Sequence, residues 1–159
     1  MNNLKHALKW GIIFTIAGLA WMVLEKTMGW HDEKIAQHPT YTNIFAVVAI
    51  AVYVFALRDK RKELGGTMSW KQGFIAGVLV SVVVAVLSPL AQWITYSFIS
   101  PDYFANAQAY SVSTGKVTQE QAESFFNLRS YILQASIFGL VVGVITSAIV
   151  ALFVRRKGA

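Results

Sequence analysis

Charged side chains are absent from four stretches of the chain, residues 10–24, 39–57, 72–101 and 130–154. A bilayer core about 30 Å thick needs roughly 20 mostly apolar residues wound as a helix. The last three stretches reach that length. The first reaches it with Lys9 snorkelling at its start and Glu25 near its end. The pattern predicts spans at about 8–28, 41–57, 74–99 and 131–154. Part of the third, residues 78–84, is rich in valine and would suit a buried strand in water. Inside lipid the backbone must satisfy its own hydrogen bonds, which leaves helices or a closed barrel. The stretches do not alternate apolar and polar positions, as barrel strands do. The expected architecture is all-α, an integral membrane four-helix bundle of two antiparallel transmembrane hairpins. It forms a single membrane domain over residues 1–159, with a loop at 58–73 and a short helical loop at 100–130 between spans 3 and 4.

Composition agrees. The chain is 55% hydrophobic and 14% charged, where soluble domains run at about 45–50% and about 25%. Disorder is excluded by that hydrophobicity. Cysteine is absent, which removes disulfides, thiolate metal sites and cysteine nucleophiles. A net charge of +6 suggests nucleic acid until the charges are mapped. Ten of the fourteen lysines and arginines fall in the two tails and the 58–73 loop, where they meet Asp59 and Glu63; the other loops carry four against six acids. The positive-inside rule places the tails and the 58–73 loop in the cytoplasm and the 100–130 loop outside. Aromatic residues Trp10, Trp30, Tyr41, Trp70, Trp93, Tyr96 and Tyr131 fall near the predicted interfaces. The surplus charge therefore reports topology, and no nucleic-acid partner is expected. The cluster Arg58, Lys60, Arg61 and Lys62 is first a topology signal; its further candidate role is contact with anionic lipid head groups, at about 1 kcal/mol per basic residue.

The first span has a basic start and a small-x-small triplet, Gly18-Leu19-Ala20, as a signal peptide would. Trp21 follows directly and apolar residues continue to Leu24, so the segment is expected to stay as a span.

The outer loops carry the candidate chemistry. The first holds Trp30-His31-Asp32-Glu33 and His38-Pro39. A metal site needs such ligands in fixed geometry with outer partners. A short hairpin loop is expected to be a solvated turn, with no metal and no cofactor. The second opens with Ser100-Pro101-Asp102, a helix-start pattern, giving a helix over about 101–110 and a turn at 111–115. Thr118-Gln119-Glu120-Gln121 then reads as a capping box for a second helix leading through Phe125, Phe126 and Leu128 into span 4. The loop aromatics Tyr103, Phe104, Tyr110, Phe125 and Phe126 are expected to rest on the interface or cap the bundle; a partner-binding surface is the alternative.

Small residues recur every fourth position in span 3 (Gly73, Gly77, Ser81, Ala85) and in span 4 (Ala135, Gly139, Gly143, Ser147, Ala151). Such ridges let helices approach closely in lipid, so spans 3 and 4 are expected to touch along them. A homodimer through the same faces and a glycine-lined ligand path stay open. Pro89 should kink span 3. Around it Ser88, Gln92, Thr95 and Tyr96 form a polar stripe, with Gln134 and Ser136 at similar depth in span 4. These side chains are expected to bond one another inside the bundle; the alternative is a polar cavity open to the outer side. Glu25 is the one acid able to reach into a span. An intramembrane carboxylate is a functional candidate, but neighbouring Lys26 favours exposure at the interface.

Met68-Ser69-Trp70-Lys71-Gln72-Gly73-Phe74 entering a long span, Ser100-Pro101-Asp102-Tyr103 leaving it, and a glycine-rich last span ending Arg155-Arg156-Lys157 together resemble the domain of unknown function 4199 family. These are small four-span membrane proteins, mostly of Bacteroidota. The resemblance implies four spans and a bacterial inner-membrane setting. The family has no established activity, so it supplies no catalytic residues.

The chain lacks H-E-x-x-H, G-x-S-x-G and an aspartate pair, and its spans offer few groups for acid–base work. The expected function is that of a non-enzymatic small membrane protein acting through helix or loop contacts, with the lipid bilayer, a homo-oligomer or a membrane protein as partner. The alternative is a small transporter or ligand-binding protein using an outer polar cavity or Glu25.

Overall fold

Asn2 opens the first helix by accepting the Leu4 backbone N–H at 2.9 Å, and the helix, α1, runs Asn3–Thr27. The computed structural model describes residues 2–156. A 3₁₀ turn at Ile35–Gln37, the one-turn α2 at His38–Tyr41 and a second 3₁₀ turn at Thr42–Ile44 lead into α3, Phe45–Glu63. Ser69 and Gln72 form a capping box that starts α4, Trp70–Ile94. That helix runs through Pro89, and its regular winding gives way only in a π-turn at Thr95–Ile99. Helices α5, Tyr103–Ser113, and α6, Gln119–Phe125, fill the long loop. Asn127 caps α7, Leu128–Val154.

Among the described residues, four stretches are long and apolar enough to cross a membrane: Asn3–Thr27, Ile35–Glu63, Trp70–Ile99 and Leu128–Val154. Large apolar side chains on their outer faces, such as Val47, Val86, Phe138 and Phe153, lie exposed. A water-facing surface of that kind is untenable in a monomer, whereas lipid accepts it. The fold is thus that of a multi-pass, all-helical membrane protein. The spans are longer than the charge gaps because helices continue past the first charged residue while the charged tips reach for the interface. The 58–73 loop shrinks to residues 64–69, turned by Gly65 and Gly66 at positive φ, and the second connection narrows to residues 100–127.

The helices form a ring in the order α1, α4, α7, α3. The largest contact is between α4 and α7, and α1 lies on the other flank of α4. Small residues make these approaches. A Cβ on Gly77 would collide with Ser147, and one on Gly143 would come within 2.6 Å of Tyr53 Oη and collide with Ser81. On the other flank, a Cβ on Gly11 would collide with Val83. Tyr53 and Ser81 hydroxyls pair at 2.7 Å in the centre. Ser81 and Ser147 bond back to the carbonyls of Gly77 and Gly143 at 3.0 and 2.6 Å, so their polar groups are met within each helix.

Along the expected ladder, Gly73, Gly77, Ser81, Gly143 and Ser147 have close neighbours, whereas Gly139 has none within 4 Å of a would-be Cβ. At that level α3 and α7 part, and a groove of about 220 Å³ opens beside Phe45, Ala49, Gly139 and Val142.

At the end bearing both tails, here the tail end, side chains lock the helices together. Met68 and Arg156 exchange two backbone hydrogen bonds at 2.9 Å. Lys9 Nζ and Trp10 Nε1 both donate to Asp59, at 2.7 and 2.8 Å. Two of the four candidate head-group residues are used internally. Lys60 is buried and donates to Glu63 at 3.1 Å. Arg61 donates to the Val154 carbonyl at 2.9 Å, satisfying one of the unpaired groups at the end of α7. Arg58 and Lys62 stay exposed.

Candidate functional site

The chemistry gathers at the opposite end, here the loop end. Helix α1 finishes in a Schellman motif. Gly29 has φ +78°, its N–H donates to the Lys26 carbonyl at 3.0 Å, and the Trp30 N–H donates to the Glu25 carbonyl at 3.0 Å. The chain reverses there and carries His31 back over the helix it has just left. His31 Nε2 comes to 2.9 Å from Glu25 Oε2. His38, at the start of α2 beside Pro39, brings its Nε2 to 3.3 Å from the same oxygen. One oxygen of a carboxylate therefore faces two imidazole nitrogens supplied by a loop and a second helix.

The other contacts hold these groups in orientation. Trp21, one turn earlier in α1, donates from Nε1 to Glu25 Oε1 at 2.7 Å. His31 Nδ1 pairs with Ser100 Oγ at 2.9 Å, and Ser100 is placed by the π-turn, its N–H donating to the Thr95 carbonyl at 2.7 Å. His38 Nδ1 lies 3.5 Å from Tyr103 Oη, which pairs with Tyr131 Oη at 3.1 Å. The Tyr103 ring meets both imidazoles edge-on or tilted, with centroids at 5.0 and 5.2 Å. Burial, reinforced by Tyr131, Tyr96 and Glu25 nearby, pushes the Tyr103 phenol far up, so it stays protonated as a hydrogen-bond donor. Asn106 of α5 ties the loop down by donating to the His31 carbonyl and to Asp32 Oδ1, both at 3.1 Å. Trp30 stacks on Tyr41 at 4.3 Å.

Two sequence expectations are corrected here. Glu25 is not exposed at an interface: it is 0% exposed. Lys26, which argued for exposure, turns away to Asp32 at 2.6 Å. The first loop is not a solvated turn: His31 is 1% exposed because α5 and the π-turn cover it. Glu33 alone of the loop's acids stays exposed and outside the cluster.

Beside this cluster lies a cleft of about 820 Å³, lined by Met22, His38, Thr42, Gln92, Tyr96, Tyr131, Leu133, Gln134, Ala135, Ile137, Phe138 and Val141. Of the polar stripe, Gln92, Tyr96 and Gln134 line it. Ser88 and Thr95 are buried away from it, and Thr95 bonds back to the Ala91 carbonyl at 2.9 Å. His38 belongs to both cluster and cleft.

At the tail end His6, Asp59 and Glu63 also converge, with His6 Nδ1 at 3.2 Å from Glu63 Oε1, but there Lys9 and Lys60 already neutralise the carboxylates.

Read from sequence, Trp21 and Asn106 had no place in a site, His31 and His38 stood as a solvated turn, Ser100 as a helix start and Tyr103 as an interface aromatic. The available signal was Gly29, which ends α1 and reverses the chain onto it. No curated protein and no solved structure matches the chain. Residues 9–156 match the family described as "Protein of unknown function (DUF4199)", and with nearly its whole length covered, the chain belongs to the DUF4199 family.

Proposed function

We propose that this is a non-enzymatic protein of the bacterial inner membrane, with both tails in the cytoplasm, that binds an amphiphilic small molecule in the cleft that α7 forms with Met22, the His38 and Thr42 turns and the loop end of α4. The orientation rests on the ten basic residues gathered at the tail end. The observation that carries the binding role is the polarity gradient of the 820 Å³ cleft. His38, Thr42, Gln92, Tyr96, Tyr131 and Gln134 supply polar groups toward the loop end, and Leu133, Ile137, Phe138 and Val141 supply the apolar wall. Its volume lies within the range of ligand pockets, about 300–1,000 Å³. Such a site suits a molecule with a hydrogen-bonding head at the outer interface and a hydrocarbon body in the membrane.

Access supports the non-enzymatic side of the reading. Ser100, His31 and Glu25 are connected in the manner of a Ser–His–acid relay, each link 2.9 Å long. Ser100 is 0% exposed, so a substrate carbonyl has no approach to its hydroxyl. Glu25 is likewise closed off by Trp21 and the two histidines, which disfavours the role of a carrier's exchanging carboxylate.

The test is saturable binding of a fluorescent single-chain amphiphile to protein purified in mild detergent. Val141→Trp, which fills the apolar part of the cleft, should weaken binding at least tenfold, and Gln134→Leu should weaken it severalfold. Equal binding by wild type and both variants would sink the proposal.

A further inference from the structure

We propose that Glu25, His31 and His38 bind a divalent first-row transition-metal ion at the loop end of the bundle. Two imidazoles and one carboxylate are a recurrent protein ligand set for zinc and non-haem iron, with a position left open for water or another ligand. Three features of the cluster go beyond the residue types.

The first is spacing. The ligand atoms of all three residues lie within 4.8 Å of one another. Glu25 Oε2 stands 2.9 Å from His31 Nε2 and 3.3 Å from His38 Nε2. Ligands each about 2.0–2.1 Å from one ion stand roughly 2.9–3.4 Å apart in octahedral or tetrahedral geometry.

The second is the outer ring of hydrogen bonds. A metal-bound imidazole nitrogen leaves the other nitrogen as a donor, which needs an acceptor. His31 Nδ1 has Ser100 Oγ at 2.9 Å, and His38 Nδ1 has Tyr103 Oη at 3.5 Å. A hydroxyl can accept in both cases, and Tyr131 Oη at 3.1 Å is a partner that can take the hydrogen of Tyr103. Trp21 holds Glu25 Oε1, leaving Oε2 directed at the histidines.

The third is charge. A fully buried carboxylate requires a positive partner. Lys26 pairs with Asp32 instead, and the ion pairs formed by Glu25 among the described residues are with His31 and His38. The three-residue cluster at the tail end differs on this point, since Lys9 and Lys60 fill the cation's place there. His38 also lines the cleft, so one of the three ligands stands at its edge.

The probe is Zn²⁺, titrated into the full chain in detergent after chelator treatment. We expect one Zn²⁺ per chain, with affinity at least tenfold weaker in Glu25→Gln, His31→Asn and His38→Asn and unchanged in the exposed Glu33→Gln and in His6→Asn. Loss of binding in variants at buried Glu25 and His31 would also follow from misfolding, so the decisive pair is His38→Asn, at the cleft rim, and Ser100→Ala, which keeps all three ligands and should weaken binding about tenfold. Co²⁺ should give a visible d–d spectrum in wild type that changes in both. Absence of saturable binding in wild type overturns the proposal, as does Zn²⁺ affinity undiminished in His38→Asn and Ser100→Ala, or lost in Glu33→Gln. His31 and Ser100 do not line the cleft, so failure of amphiphile binding and failure of metal binding are read separately.

Discussion

His31 Nε2 lies 2.9 Å from Glu25 Oε2 across a chain reversal that Gly29 makes at φ +78°. A side chain in that backbone region costs about 1–2 kcal/mol, less for asparagine. Gly29→Ala should therefore destabilise the protein by about 1–2 kcal/mol, and Gly29→Asn by less, in the midpoint of detergent-induced unfolding. Equal midpoints for wild type and Gly29→Ala would show that the reversal does not depend on the left-handed turn.

The α4–α7 contact predicts opposite outcomes for neighbouring glycines of one ladder. Gly77 and Gly143 have no room for a Cβ, while Gly139 faces open space. Gly143→Val should cost about 1–3 kcal/mol or more by overpacking, and Gly139→Val should be close to neutral in the same unfolding assay. Similar losses at both positions would contradict the parting of α3 and α7 at that level.

Topology can be read with single cysteines, because the natural chain has none. Glu33, Lys62 and Lys116 are exposed. In intact cells stripped of any outer membrane, Glu33→Cys and Lys116→Cys should react with an impermeant maleimide, and Lys62→Cys should react only after permeabilisation. The reverse pattern would invert the proposed orientation.

Alkali should act through Tyr103. Burial raises its phenol pKa in the folded protein, while the unfolded chain titrates near 10. The folded state therefore holds a proton that the unfolded state gives up above about pH 10, and stability falls with rising pH beyond that point. Tyr103→Phe should flatten this alkaline decline in plots of Tm against pH. An unchanged slope would remove Tyr103 as its source.

The spans were legible because lipid writes them as gaps in charge. The capping box at Thr118 and Gln121 was legible for the same local reason. Gly139 was misread because spacing gives a helix face but not where the neighbouring helix leaves it. Glu25 was misread because Lys26 is adjacent in sequence, whereas its nearest charge partner in space is Asp32. His31 looked like part of a solvated tetrad. Its burial depends on Ser100 and Asn106, more than sixty residues later, and such contacts leave no mark in local pattern. The basic cluster likewise split, Lys60 and Arg61 being spent on Glu63 and the α7 terminus.

The binding role rests on the membrane-facing cleft between α7 and the His38 and Thr42 turns. Native mass spectrometry of the chain released gently from its own membrane tests it most directly. The expected spectrum has a peak for the protein carrying one amphiphile, and Val141→Trp loses it. A wild-type spectrum without such an adduct, or an adduct undiminished in Val141→Trp, would contradict it.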